Sequence, residues 1–180
     1  MADKLTTYIS EQQIQQAVCR IAKEIEADYK NKPDSNLLLV GILKGSTVFM
    51  TDLMRKIDMP LAIDFMSVSS YGKGTASTGN VKINMDLNIN ASDYDIIIVE
   101  DILDSGYTLS KLIQLLNTRK PKSLKVCTLL DKPERRKAEV RLDYCGMRIE
   151  DKFIVGYGLD YGERYRNLPY IAIIEPDTNK

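Results

Sequence analysis

The chain is expected to fold as an α/β protein, with a central parallel sheet flanked by helices and a small cap built from its C-terminal region. One observation behind this is alternation. Apolar runs of strand length stand at residues 37–43, 61–68, 95–99 and 124–130, with helical spacing between the first two and between the last two. A second is that residues 37–43 and the run Ile96, Ile97, Ile98 are apolar throughout, as in strands covered on both faces. A third is a change of pattern at Asp131, after which short strands and turns replace the alternation and glycines stand at 146, 156, 158 and 162.

Ser10 with Gln13 fits a capping box, and Ile14, Val18, Ile21 and Ile25 follow at helical spacing. They predict an amphipathic helix of about twenty residues that ends near residues 31–33. After the strand at 37–43, Ser46 is placed to cap a helix with Phe49, Leu53 and Ile57 on its apolar side. Residues 61–68 read as the next strand. The stretch 68–82 has three glycines, many small hydroxylated residues and no apolar period, so it reads as a long loop. Beyond the strand at 95–99, Leu109, Leu112, Ile113 and Leu116 mark the inner face of a helix over about residues 108–119. Another strand follows at 124–130, and segments 153–157 and 170–174 read as short strands of the cap. The expected organisation is one domain, with a core over about 35–130 and a cap from about 131–180 plus the N-terminal segment.

Composition narrows the chemistry. Lys and Arg number 25 and Asp and Glu number 25, so there is no overall attraction to nucleic acid or anionic membrane. Residues 1–8 lack a signal-peptide core and no apolar run is long enough to span a bilayer, so a cytoplasmic location is expected. Cys19, Cys127 and Cys145 are widely spaced and form no CxxC pair, which argues against a zinc site or a disulfide framework. Cys127 lies in an apolar stretch and reads as a core thiol. With no histidine in the chain, acid-base work falls to Asp, Glu, Lys and Tyr.

The most informative segment is Val99-Glu100-Asp101-Ile102-Leu103-Asp104-Ser105-Gly106-Tyr107-Thr108-Leu109. It reads as a buried strand ending in two carboxylates, a tight acidic loop and the first turn of a helix. Carboxylates there lie at the carboxyl edge of the sheet, where open α/β folds bind ligands. The loop amides beside a helix N-terminus suit a phosphate. Paired carboxylates accept hydrogen bonds from a diol, so the pattern fits a ligand that carries a sugar diol beside a monophosphate. A solvated turn, with Asp104 and Ser105 simply capping the helix, is the plainer alternative. A second strand-to-helix junction, Lys44-Gly45-Ser46, offers a cation, a close backbone approach and helix amides to an anion. No Walker A loop and no Gly-x-Gly-x-x-Gly occurs, which removes the main support for nucleoside triphosphatase and dinucleotide-dehydrogenase readings.

Residues 99–109 closely resemble the phosphoribosyl pyrophosphate signature of the purine phosphoribosyltransferases. Over roughly residues 8–176 the chain resembles the hypoxanthine-guanine members, of bacterial type. The resemblance implies the type I phosphoribosyltransferase fold and magnesium-dependent transfer of a phosphoribosyl group from 5-phosphoribosyl 1-pyrophosphate to N9 of a 6-oxopurine. The base would be hypoxanthine and, with it, guanine. It also implies that Glu100 and Asp101 hold the ribose hydroxyls directly or through magnesium, and that Asp104, Ser105, Gly106, Tyr107 and Thr108 wrap the 5-phosphate. Asp104 would be the general base. Tyr107 stands where many relatives carry a basic or amide residue. Lys44 and Gly45 would bind pyrophosphate, in the family often through a cis peptide, and Arg166 would clamp it. Ser70 and Tyr71 would open a lid over about residues 68–82. Lys132 would meet the purine 6-oxygen, where an ammonium with only donors favours a carbonyl over an amino group. Phe153 would stack on the base, the Ile154 backbone would contact its edge, and Asp160 would serve the base edge and a second magnesium. A homodimer or homotetramer is implied, with no nucleic-acid or membrane partner. Two rivals remain at this level. One is a regulator of nucleotide metabolism on the same fold that binds RNA, which calls for a basic face. The other is a flavodoxin-like signalling domain, against which Lys44-Gly45 and the long loop count.

Overall fold

The computed structural model describes residues 3–70 and 81–175, which form two sheets and three helices. The larger sheet has six strands: β2 (Leu37–Leu43), β3 (Ala62–Ser70), β4 (Val81–Met85), β5 (Asp95–Leu103), β6 (Ser123–Asp131) and β7 (Tyr144–Arg148), in the order β4-β3-β2-β5-β6-β7. All of its pairings are parallel except β3 with β4. The smaller sheet has the order β1-β9-β8, with β1 (Lys4–Ile9), β8 (Ile154–Val155) and β9 (Ile171–Glu175) antiparallel.

Helix α1 (Glu11–Tyr29) and helix α2 (Thr47–Met54) cover one face of the large sheet, and α3 (Tyr107–Thr118) covers the other. The alternation of β2 follows directly. Leu37 and Leu39 pack toward α1 and α2, while Leu38, Val40 and Ile42 pack toward α3. Ser10 and Gln13 form the expected capping box, and Ile14, Val18, Ile21 and Ile25 are fully buried. Phe49, Met50 and Leu53 are the buried face of α2, and Ile57 lies buried just past its end. Cys127 is a buried thiol whose pKa is raised by that burial.

At the start of β5, Asp95 is buried. Burial alone would favour its neutral form, but Lys32 at 2.6 Å, with the hydroxyls of Ser123 and Ser35, holds it ionised and below the usual carboxylate range.

Several expectations need correction. β3 continues through Ser70 and β4 begins at Val81, so residues 68–70 and 81–82 belong to an antiparallel pair and not to a loop. Val68 packs against the core, and small hydroxylated residues still make ladder hydrogen bonds. Tyr71 and the rest of 71–80 lie outside the described residues. β7 falls in the stretch expected to build the cap, yet it extends the large sheet beside β6. Ser46 stands at the N-cap of α2, but its hydroxyl donates to the Ile42 carbonyl at 2.7 Å instead of capping.

Candidate active site

The site opens where two neighbouring strands end at different heights. β2 stays in register with β5 only to Gly41 opposite Val99, whereas β5 runs on against β6 until Leu103 pairs with Asp131. Glu100 and Asp101 therefore stand within β5, not past its end, on an edge that β2 has left free. Pairing with β6 alone carries the strand past the point expected from the sequence. Both carboxylates are half-buried. Burial pushes Glu100 well above the usual carboxylate range and the neighbouring Asp101 charge pushes it further; Asp101 is also raised by burial, against the pull of the Ile102 amide.

Across from them lies the β2–α2 junction, with a cis peptide between Leu43 and Lys44, one bond earlier than the Lys44-Gly45 bond. Gly45 sits so close to Asp101 that a Cβ there would overlap the carboxylate. From the other side the turn at Gly158, with φ of 100°, abuts the Gly45 carbonyl. Glycine at 45 is thus required for room. Lys44 extends outward and pairs with Glu163 at 3.0 Å.

After β5, Asp104, Ser105 and Gly106 turn the chain into α3. Gly106 has φ of 81°, a left-handed conformation that favours glycine, and it occupies the N-cap without any side-chain cap. The turn is braced from behind, since the Ser105 carbonyl accepts from the amides of Lys137 and Ala138 at 2.9 and 3.0 Å. A pocket of about 220 Å³ runs from Glu100 along the loop to Leu109. Thr108 lines it; Tyr107 is half exposed and does not. The amides of the first turn of α3 have no acceptor within the helix, so the loop and helix together present donors to an anion.

The remaining candidates come from the chain beyond β6. Lys132 is only 6% exposed, so it does not sit in a solvated turn; its Nζ donates to the Lys152 carbonyl at 2.5 Å and lies 3.6 Å from Asp151. Phe153 is 53% exposed and leans edge-on against Tyr161, an open aromatic face beside that lysine's acceptor. Ile154 is buried in β8. Asp160 is engaged by Arg166 at 2.7 Å and by the Glu163 amide at 2.9 Å. Arg166 also donates to the Gly158 carbonyl at 2.7 Å, while its buried Nε has no partner among the described residues. Ser70 ends β3, and only its backbone position is described.

The fold therefore brings Gly45 to Asp101 and Arg166 to Asp160. Among the described residues, no three acidic or sulfur side chains converge as a metal cage. Residues not singled out from the sequence also belong to the site. Arg135 pairs with Asp104 at 2.8 Å, Asp151 faces Lys132, and Tyr161 supports Phe153. In sequence these are charged or aromatic residues in turns, a pattern that carries no signal of its own.

Three comparisons bear on the family. Residues 5–162 match the model of the phosphoribosyl transferase domain. The chain is 51% identical over 168 residues to the hypoxanthine-guanine phosphoribosyltransferase of Bacillus subtilis, covering 93% of this chain and 92% of that protein. It is 52% identical over 169 residues to the bifunctional protein TilS/HprT of Listeria innocua, where it spans only 26% of the relative's length. The structure matches that of a hypoxanthine phosphoribosyltransferase from Staphylococcus aureus with a TM-score of 0.91 at 47% identity, over 97% of this chain and 94% of the other. On these matches the chain belongs to the phosphoribosyltransferase family, among its hypoxanthine-guanine members.

Proposed function

We propose that the chain transfers the phosphoribosyl group of 5-phosphoribosyl 1-pyrophosphate to N9 of hypoxanthine or guanine, forming the nucleoside monophosphate and releasing pyrophosphate. The observation that carries this reading is the free edge of β5. Two half-buried carboxylates stand there beside a braced phosphate loop, and Asp101 packs against the backbone of Gly45. The loop 104–108 holds the 5-phosphate, and Glu100 and Asp101 accept from the ribose hydroxyls. Lys44, the Gly45 backbone and Arg166 take the pyrophosphate, for which Arg166 must release Asp160 or Glu163. Ser70 and Tyr71 complete the donor side.

On the base side, Lys132 donates to the 6-oxygen, Phe153 stacks, Ile154 contributes backbone to the purine edge, and Asp160 borders it. An ammonium finds no acceptor in the amino group of adenine. Asp104 takes the ring proton as N9 bonds to the anomeric carbon and pyrophosphate leaves with the bonding electron pair.

The donor set fits a divalent metal of the magnesium type. Glu100 and Asp101 supply only oxygen, and burial raises both carboxylates, so a cation held beside them would favour their charged forms. Magnesium held there with the diphosphate would offset the charge of the donor and leaving group. Asp160 is the third carboxylate proposed to meet metal. No helix among the described residues is long and apolar enough to cross a membrane. A cytoplasmic homodimer or homotetramer is part of the same proposal.

The test is the purified protein with magnesium, the donor and each of five bases: hypoxanthine, guanine, xanthine, adenine and orotate. Inosine monophosphate should form from hypoxanthine, with nothing above background from adenine or orotate. Robust product from adenine, or none from any 6-oxopurine, overturns the substrate assignment.

A further inference from the structure

Two consecutive arginines grip Asp104 from different sides. They leave the short turn of Pro133–Arg135 that follows Lys132. Arg136 donates through Nε to the Asp104 carbonyl at 3.2 Å and pairs with the buried Asp131 carboxylate, so it fixes the backbone of the phosphate loop. Arg135 reaches the side chain instead, with its Nε 2.8 Å from Oδ1 of Asp104. That oxygen is covered, although the N–H is not aligned for a directed hydrogen bond, while the side chain as a whole keeps 42% exposure. The open part of the carboxylate therefore includes Oδ2.

Arg135 is itself held from behind. Its NH1 lies 3.5 Å from Asp151, and the same Asp151 oxygen lies 3.6 Å from Nζ of Lys132. The row Asp104, Arg135, Asp151, Lys132 thus links the proposed proton acceptor to the lysine proposed to read the 6-oxygen. An ordinary exposed ion pair does little for a fold. This one differs because it covers one oxygen of a carboxylate that lines the loop pocket and leaves the rest of that side chain open.

We infer that Arg135 is a positioning residue: by occupying Oδ1 of Asp104 it sets the rotation of the carboxylate and presents Oδ2 to the ring N–H of the incoming purine. The inference rests on the reading of Asp104 as the base. In the step it serves, the N–H bond of the purine breaks, an O–H bond forms at Oδ2, and the released electron pair supports attack of N9 on the anomeric carbon. Arg135 touches neither the base nor the donor. Its effect should fall on use of the base and not on binding of the donor.

The experiment is a double-mutant cycle on kcat/KM toward hypoxanthine, with Arg135→Gln, Asp104→Asn and the pair, and with the donor KM measured in parallel. Arg135→Gln should lower the efficiency for hypoxanthine roughly fivefold with the donor KM unchanged, the scale of a partly exposed ion pair. Arg135→Lys should recover part of it. Asp104→Asn should lose roughly 10²- to 10⁴-fold. In the Asp104→Asn background, Arg135→Gln should have no further effect, because there is no carboxylate left to orient. An equal fivefold loss in both backgrounds, or a matching rise in donor KM, would make Arg135 a structural residue and overturn the inference while leaving Asp104 as the base. Full activity of Asp104→Asn would instead remove the base reading, and the positioning role with it.

Discussion

The two strand-to-helix junctions that face each other across the site both carry a glycine, and they use it for opposite reasons. At the β2–α2 junction Gly45 has an ordinary backbone, but it is pressed between the Asp101 carboxylate and the Gly158 turn. At the β5–α3 junction Gly106 adopts φ of 81° and forms the turn itself. The first is a matter of space, the second of conformation. The surroundings differ in the same sense. Gly45 is hemmed in by Asp101, a group proposed to meet the ligand, while Gly106 rests on the scaffold at Ala138, Arg136 and Val140. Glycine in a phosphate-binding turn is therefore not one signal but two, and substitutions separate them.

The largest difference is expected for Gly45→Ala. Its added methyl must push aside the Asp101 carboxylate, the end of a side chain that can turn away, so the cost falls on the donor site more than on the core. Steady-state kinetics should show the donor KM raised by about 10- to 100-fold with the melting temperature little changed. If the melting temperature falls and the donor KM does not move, Gly45 is a packing residue and the contrast fails. Gly106→Ala is expected to act mainly on stability. Left-handed backbone costs a non-glycine residue about 1–2 kcal/mol. The Ala138 carbonyl, 2.8 Å from the position of the new Cβ, adds to that. Denaturant unfolding should show a loss of about 2 kcal/mol; an unchanged midpoint would mean that the turn relaxes freely. The smallest effect belongs to Ser46→Ala. Removing the buried hydroxyl that donates to Ile42 should cost about 1 kcal/mol of stability and leave both KM values as they are. A shift in donor KM from this variant would show that α2 itself steers the pyrophosphate side.

Much of this was legible in the sequence because it rests on periodicity. The strand at Leu37–Leu43 matches its apolar run residue for residue, and the capping box at Ser10 and Gln13 is formed as the spacing requires. The acidic segment 99–109 pointed to the free edge of the sheet for the same reason: a buried strand must deliver its last residues somewhere. Strand ends were less legible. The length of β5 depends on β6, which still pairs at Leu103, and nothing in residues 100–103 alone says so. The hydroxyl of Ser46 was misread because a serine beside a helix start can cap it or bond the preceding turn, and only the path of β2 decides. Lys132 and Arg135 sit in a charged turn that looks solvated. Burial of one and anchoring of the other come from Asp151 and Lys152, whose approach is a tertiary fact.

The pairing of β1 with β9, Lys4 opposite Glu175, has a consequence for the order in which the protein is assembled during synthesis. The six strands of the large sheet draw on residues 37 to 148 and find all their partners within that span. β1, which precedes all of these strands in the chain, has its partner in β9, which follows them all. Until Ile171–Glu175 emerges, β1 waits with an unpaired edge, and β8, which also pairs with β9, waits with it. The residues of the phosphate loop are made before those beside Phe153 and Gly158, and β8 next to Phe153 pairs with the still later β9. A chain truncated before β9 would therefore lack the strand that holds both β1 and β8, and with it Ile171 from the core shared with the large sheet.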